Sequence, residues 1–535
     1  MAFDDIVLRH CAAVGLSARP GSSVLHVADA ADHGDEWLVE ELRATSPHLS
    51  ITSVALEPAA EVPLASLARS AGYDVVIDQT TTPGRWKRVK DLVALVRVGG
   101  CVIARREPGH HDGARAFVGR LTTPNPVRST LADVVASVDL DDQHLRITLA
   151  RQLAPKVFEH EVDELFSARG HEDRVTRVVP AQAWSSIGVL HGNDEPRAAS
   201  LRRSFEGFEL TLRDYHDAWC LPQSAVLADG VALPESFRRS FSGVFSNAHL
   251  TSCTPRAVVL PDPPRRRLEG TYLHLDNEWR GQFGHNLLEQ ASKTWAWDRV
   301  VERHPDARAI VTRRGHTPVA DWEYALLRAA GIPQDRVTVA DTPVTVEHLV
   351  TATAGYYLPD RVHPHVASVY ARIADSLLTS AEPGERPDRV FFSRKPGARR
   401  ACLNAERVEQ IFMNEGFRVV YPEDHPLATQ VAMVRGAGVF AGYAGSGMYH
   451  LALTAGAPQT VIAITAATYN EVAESAFASL YGHELYMIWC ADVEPHHKSS
   501  PQSDFRFSSQ DEAYLRRVLA TVSGGRGGIV GAVGH

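Results

Sequence analysis

The stretch from Val390 to Ile462 constrains the fold more than any other part of the chain. Val390-Phe391-Phe392 is a short apolar run ending in Ser393-Arg394. A helical pattern follows, then Gly416-Phe417-Arg418-Val419-Val420-Tyr421-Pro422-Glu423, which reads as helix end, strand and loop. A small-residue strand, Ala437 to Ala441, then enters Gly442-Tyr443-Ala444-Gly445-Ser446-Gly447. Strands alternating with helices predict βαβ units and a parallel sheet. Such sheets bind ligands beyond the carboxyl ends of their strands, and helix starts favour anions there. Arg394 can fork two N–H groups onto phosphate oxygens. The glycines allow close backbone approach. The stretch therefore reads as a site for a nucleotide-like anion. Lys395, Arg399 and Arg400 add local positive charge.

That charge has to be local, because the chain carries a net charge of −9. Bulk affinity for nucleic acid does not fit that balance. At 535 residues the chain is too long for one core, and several domains are expected. Its six cysteines are scattered with no C-x-x-C pair, which favours buried thiols over a disulfide framework or a zinc site. No apolar run is long enough to span a membrane, and the N-terminus lacks the basic start of a signal peptide. A cytoplasmic location is the expectation. Peripheral attachment at the inner face of a membrane and homo-oligomerisation both stay open.

The class is α/β throughout. Residues 1–155 alternate strands (Ser23 to Ala28, Ser50 to Leu56, Asp74 to Asp78, Cys101 to Ala104) with helices (Glu36 to Thr45, Trp86 to Val96). Gly99-Gly100 reads as a turn into the fourth strand, and Val138 to Ala150 as a hairpin around Asp141-Asp142. Residues 156–209 are polar and irregular and read as a bridging region. Residues 210–385 and 386–520 form two further αβ halves. Residues 521–535, with Ser523-Gly524-Gly525-Arg526-Gly527-Gly528, read as a flexible tail.

A further candidate site is Gly281-Gln282-Phe283-Gly284-His285-Asn286-Leu287-Leu288-Glu289. His285 and Glu289 are four apart, on one face of a helix start. A histidine there can take a proton from a hydroxyl, and the carboxylate can orient it or act in its place. Two ligands without a third make a poor metal site.

In order and spacing these elements resemble glycosyltransferase family 61. That family shows an N-x-x-H-x-x-x-D/E element, a strand ending in Ser-Arg, and an Arg…Asn-Glu segment. Glu-Gly-Phe, Pro-Glu…Gln and a Gly-x-His-Gly-Ala/Ser-Gly-Leu-x-Asn turn follow. The similar stretches here are Gly281 to Glu289, Phe392 to Arg394, Arg400 to Asn404, Glu415 to Phe417, Pro422-Glu423 with Gln430, and Gly442 to His450. Three positions depart: Ala444 replaces the turn's histidine, His450 its asparagine, and Ala405 a glutamate.

The resemblance implies a GT-B-like pair of Rossmann-like domains and an inverting, metal-independent transfer. The sugar would pass from a nucleotide-sugar to a glycan or lipid-linked glycan acceptor, as in bacterial capsule and other surface polysaccharide biosynthesis. It implies that Ser393, Arg394, Arg400, Gly445, Ser446 and Gly447 hold the donor's diphosphate side, with Glu423 and Gln430 near the nucleoside. His285 would be the base and Glu289 its partner or alternative, with no metal and no cofactor required. Residues 1–155 look similar to a separate Rossmann-like, methyltransferase-like domain. Val27-Ala28-Asp29-Ala30-Ala31-Asp32-His33-Gly34 stands where G-x-G-x-G belongs, so S-adenosylmethionine is not expected to bind. Two alternatives remain: an inactive scaffold in polysaccharide assembly, and a bifunctional methyltransferase–glycosyltransferase.

Overall fold

A computed structural model describes residues 3–524 apart from 17–18, 20, 31–35, 58–59, 70, 82–84, 107–112, 124–129, 242–245, 313–317, 360, 382–385, 398–399 and 494–502. It shows a mixed α/β protein with several sheets. The chain divides into two compact units. The first holds Met1–Val175, Asp214–Gly270 and Ala340–Leu349, and the second Thr176–Arg213, Thr271–Val339 and Val350–His535. Residues 210–385 are thus shared between the units, because the chain leaves and re-enters each one.

In the first unit, β1 (Ser23–Asp29), β2 (Ser50–Leu56), β3 (Tyr73–Asp78), β4 (Val96–Arg105), β5 (Val135–Leu140) and β6 (His144–Leu149) form one sheet in the order β2-β1-β3-β4-β6-β5. The first four are parallel, and β5 and β6 add an antiparallel hairpin. Gly99 and Gly100 fall within the span of β4, at the irregularity where its register on β3 jumps from Tyr73–Val96 to Val75–Cys101, and Gly99 has a φ of +75°. A Cβ at Gly100 would come within 2.6 Å of the Asp74 carbonyl, so the missing side chain lets β3 and β4 stay paired. At the end of β1, Asp29 accepts hydrogen bonds from the Thr81 N–H at 2.8 Å and hydroxyl at 3.1 Å. Ala31 to Gly34, where the cofactor glycines were sought, lie outside the described residues.

The second unit carries the parallel sheet foreseen around Val390. Its strands are β7 (Val189–Gly192), β8 (Arg389–Phe392), β9 (Arg418–Val420), β10 (Val439–Tyr443), β11 (Thr460–Ala466) and β12 (Glu484–Asp492). Their order is β7-β12-β11-β10-β8-β9, with every pairing parallel. A short strand, Phe505–Arg506, runs antiparallel on β12. β7 comes from the stretch read as a bridge; four residues, Val-Leu-His-Gly, are too few to show a strand period before an edge is there to pair with. Parallel strands covered on both faces should be apolar throughout, and β10 is buried at all five positions. One face packs Phe391, Ile464 and Ile488 against Phe412 of the helix Ala405–Asn414, Phe417 just after it, and Leu515 of the helix Ser509–Gly524. Ser523 and Gly524 belong to that last helix, and 525–535 lie outside the described residues.

From β8 the chain goes out to β9, then returns past β8 to β10. The β8–β10 pair is therefore the topological switch point, where a crevice opens beyond the carboxyl ends. Phe392 pairs with Gly442 there, so Ser393-Arg394 and Tyr443-Ala444-Gly445 emerge side by side.

The Gly281–Glu289 segment is set by a buried polar network. The Arg280 guanidinium donates to Glu323 at 2.9 Å and to the Thr312 carbonyl at 2.6 Å, and the Arg280 and Glu323 side chains are each 2% exposed. Asn286 donates to Glu323 at 2.9 Å and accepts from the Gly281 N–H at 2.9 Å. Removing one partner of a buried ion pair strands the other charge. Glu323→Ala is therefore expected to destabilise the second unit by about 3–5 kcal/mol, read as a lower midpoint in urea unfolding. A change under about 1 kcal/mol would show that the pair is dispensable.

Candidate active site

A cavity of about 1160 Å³ opens at the switch point of the second unit. Ser393, Arg394, Arg400, Glu423, Gln430, Ser446 and Gly447 all line it. Trp322, Leu377, Pro426 and Leu427 add apolar wall, and Phe283 and His450 complete the side next to the glycine turn.

The basic residues divide into different roles. Arg394 is turned into the protein: it donates to the carbonyls of Arg400 at 2.8 Å, Tyr443 at 3.4 Å and Ala444. It pins the glycine turn. Burial, with the like charge of Arg400, pushes its pKa down to about 10, so it stays charged at neutral pH. Lys395 is spent in a rim ion pair with Asp424, and Arg399 lies outside the described residues. Among the described residues the Arg400 guanidinium has no hydrogen bond or ion pair. It sits over the Tyr469 ring, 5.4 Å from its centroid. Arg400 is thus a cation next to the glycine turn that is open to an anion; Arg328 also lines the cavity and donates to the Gln334 amide oxygen at 2.8 Å.

Gly445 is needed for steric reasons. Its φ is +116°, and a Cβ would come within 2.6 Å of the Arg400 guanidinium and 3.1 Å of that of Arg394. Its N–H is not offered to a ligand: it donates to Glu474 at 2.6 Å. That revises its expected part in holding the anion; Gly445 shapes the turn, and the following Ser446 and Gly447 line the cavity. Ser393 is similarly committed, since its hydroxyl donates to Glu409, which also accepts from the Tyr421 hydroxyl at 3.1 and 3.2 Å. Gln430 donates to the His425 carbonyl at 2.8 Å, leaving its amide oxygen as an acceptor. Glu423 is exposed at the rim.

His285 and Glu289 pair with each other at 3.2 Å and do not line the cavity. They straddle a short α-helical turn, Phe283–His285, and a π-helical turn, Asn286–Gln290, a form that often marks functional positions. Their segment nonetheless abuts the glycine turn: a Cβ at Gly284 would fall 2.7 Å from the Tyr449 ring and 2.8 Å from the Ser446 hydroxyl. Phe283 stacks on His450 at 4.7 Å. Buried His450 donates from Nδ1 to the Gly447 carbonyl at 2.8 Å, and burial pushes its pKa down to about 4, so it is neutral.

Every residue lining this cavity falls in one stretch that has known counterparts. Residues 248–463 match the family described as Glycosyltransferase 61. The protein is a glycosyltransferase. No curated protein shows a significant match to the chain. Among the described residues no helix is long and apolar enough to cross a membrane. The glycosyltransferase also uses residues that sequence reasoning missed. Glu409, Tyr469 and Glu474 hold the cavity's residues from behind, and the last two lie beyond the matched stretch. No local motif announces Glu474, because its partner Gly445 is 29 residues away.

Gly445→Ala tests the turn. Strain at this φ is worth about 1–3 kcal/mol, and the methyl group displaces both guanidinium groups. A fall in Tm of several degrees together with lost nucleotide binding is expected. Unchanged binding of nucleoside diphosphates by the variant would remove Gly445 from the site.

Proposed function

We propose that this glycosyltransferase is an inverting, metal-independent enzyme of GT-B architecture. It moves a sugar from a nucleotide-sugar to a glycan or lipid-linked glycan acceptor in surface polysaccharide biosynthesis. The observation that carries the proposal is the meeting of Arg400, unpaired among the described residues, the pinned glycine turn and a large cavity at the sheet's switch point. A diphosphate leaving group needs positive charge placed where its own charge develops. Arg400 supplies it directly, with buried Arg394 behind, so the reading requires no metal ion to carry that charge. Apolar pockets of roughly 300–1,000 Å³ hold drug-sized ligands, and this cavity, at about 1160 Å³, is somewhat larger. It has room for a nucleoside diphosphate and its sugar, with Glu423 and the Gln430 amide oxygen as the nucleoside's polar contacts.

In the reaction so proposed, the acceptor hydroxyl oxygen attacks the anomeric carbon from the face opposite the diphosphate. The carbon–oxygen bond to the diphosphate breaks, the nucleoside diphosphate leaves with the electron pair, and the hydroxyl proton passes to the base. His285 is the proposed base, oriented by Glu289 through Nδ1, which leaves Nε2 for the hydroxyl. The first unit's N-terminal sheet is proposed as a degenerate Rossmann-like domain with no S-adenosylmethionine chemistry.

Two measurements test this reading. Thermal shift against UDP- and GDP-sugars should show stabilisation by one donor class. Arg400→Ala should weaken it roughly 10- to 150-fold, the worth of one charge-assisted hydrogen bond. No shift with any nucleotide at millimolar concentration would defeat the proposal. His285→Ala should lower kcat roughly 100-fold or more, with the donor KM little changed. Wild-type turnover in His285→Ala alongside inactivity in Glu289→Ala would move the base to Glu289.

A further inference from the structure

We infer that Glu474, outside the matched stretch, is a positioning residue that ties the binding of the donor's diphosphate to the charge of its own carboxylate; this rests on the nucleotide-sugar reading above. Glu474 is 1% exposed at the start of the helix Ala473–Tyr481. Its carboxylate accepts from the Gly445 N–H at 2.6 Å and from the Tyr469 hydroxyl at 3.2 and 3.3 Å. Gly445 in turn lies against both guanidinium groups, and Arg400 covers the Tyr469 ring. The carboxylate is therefore an anion built directly behind the glycine turn of a site made for anions.

The surroundings define how that anion behaves. Tyr449, from the turn Met448–Leu453, meets Tyr469 hydroxyl to hydroxyl at 3.2 Å. Glu474 also acts through space on Tyr356, Tyr449 and Arg394, and Arg400 acts on it; Glu471 lies nearby and acts on the same tyrosines. On the two strands packed against this helix, His191, Glu484 and Tyr486 bond among themselves. His450 is held by Gly447. Burial is the main influence on Glu474 and pushes its pKa up to about 7. The group thus changes charge near neutral pH.

The sign follows. A diphosphate brought to Arg400 and Arg394 adds negative charge and raises the pKa of Glu474 further, so binding takes up a proton from solvent. By linkage, the donor's affinity is highest where Glu474 is already protonated, below about pH 6. It falls as pH rises through the carboxyl's pKa.

Titration calorimetry on the full chain with UDP, GDP and inorganic pyrophosphate tests this, comparing each variant with wild type so that the ligand's own titration cancels. In Glu474→Gln the amide oxygen still accepts from Gly445 but carries no charge. It should bind the diphosphate on the order of 5-fold tighter than wild type near pH 8 and equally near pH 5.5. Its proton uptake on binding should be smaller. Glu474→Ala, which strands the Gly445 N–H, should bind more weakly at both pH values. Tyr469→Phe keeps the carboxylate but removes a hydrogen bond that favours its charged form, so the affinity–pH curve should move to higher pH. Equal weakening in Glu474→Gln and Glu474→Ala, or pH-independent ratios throughout, would reduce Glu474 to a structural group and overturn the inference alone. Failure of the wild-type protein to bind any of the three probes would overturn the proposed function, and the inference with it.

Discussion

The site depends on one clamp. Gly445 is held between two guanidinium groups in front and a buried carboxylate behind. Each group alone would be costly there: an unpaired buried charge is not tolerated, and a glycine at φ +116° has no intrinsic reason to stay. Together they fix the backbone. Arg394 spends its donors on carbonyls around the turn, Glu474 takes the Gly445 N–H, and Arg400 is left over the Tyr469 ring with its donors unspent among the described residues. Positive charge is presented to the cavity by a group that needs no rearrangement to receive an anion, which is the condition for electrostatic catalysis.

The rest of the second unit serves to bring that clamp together. A parallel sheet with its switch point between β8 and β10 places two loops, fifty residues apart in sequence, next to each other. The Arg280–Glu323–Asn286 network holds the Gly281–Glu289 segment rigid from below. Gly284 lets that segment meet the glycine turn at van der Waals distance. His285 and Glu289 are thereby tied to the turn that lines the cavity, although neither lines the cavity itself.

Much of this was legible in the chain. The strands after which Arg394 and the glycine turn stand have clear apolar runs, because a strand buried on both faces needs apolar residues throughout. Ser393, Arg394, Ser446 and Gly447 could be named because loops at strand ends carry distinctive residue types, whereas Glu423 and Gln430, the latter inside the helix Leu427–Gly436, were named only through the family resemblance. The same local reading placed Gly99-Gly100 before the fourth strand, whereas they fall within the span of β4, where Gly100 serves close strand approach. It also missed β7, whose four residues become a strand only against β12.

The sequence by itself determined the α/β class, the parallel sheet around Val390 and the residue types available at its strand ends, since local periodicity and turn chemistry act over a few residues. Only the tertiary structure decided how those residues divide their work. Arg394 and Arg400 are alike as letters, yet one is consumed by backbone carbonyls and the other is left open. Glu474 has no motif at all and becomes part of the site because a hydrogen bond spanning 29 residues buries it beneath Gly445. Burial and hydrogen-bond partners are set by packing between distant segments, and packing is what gives identical side chains different roles.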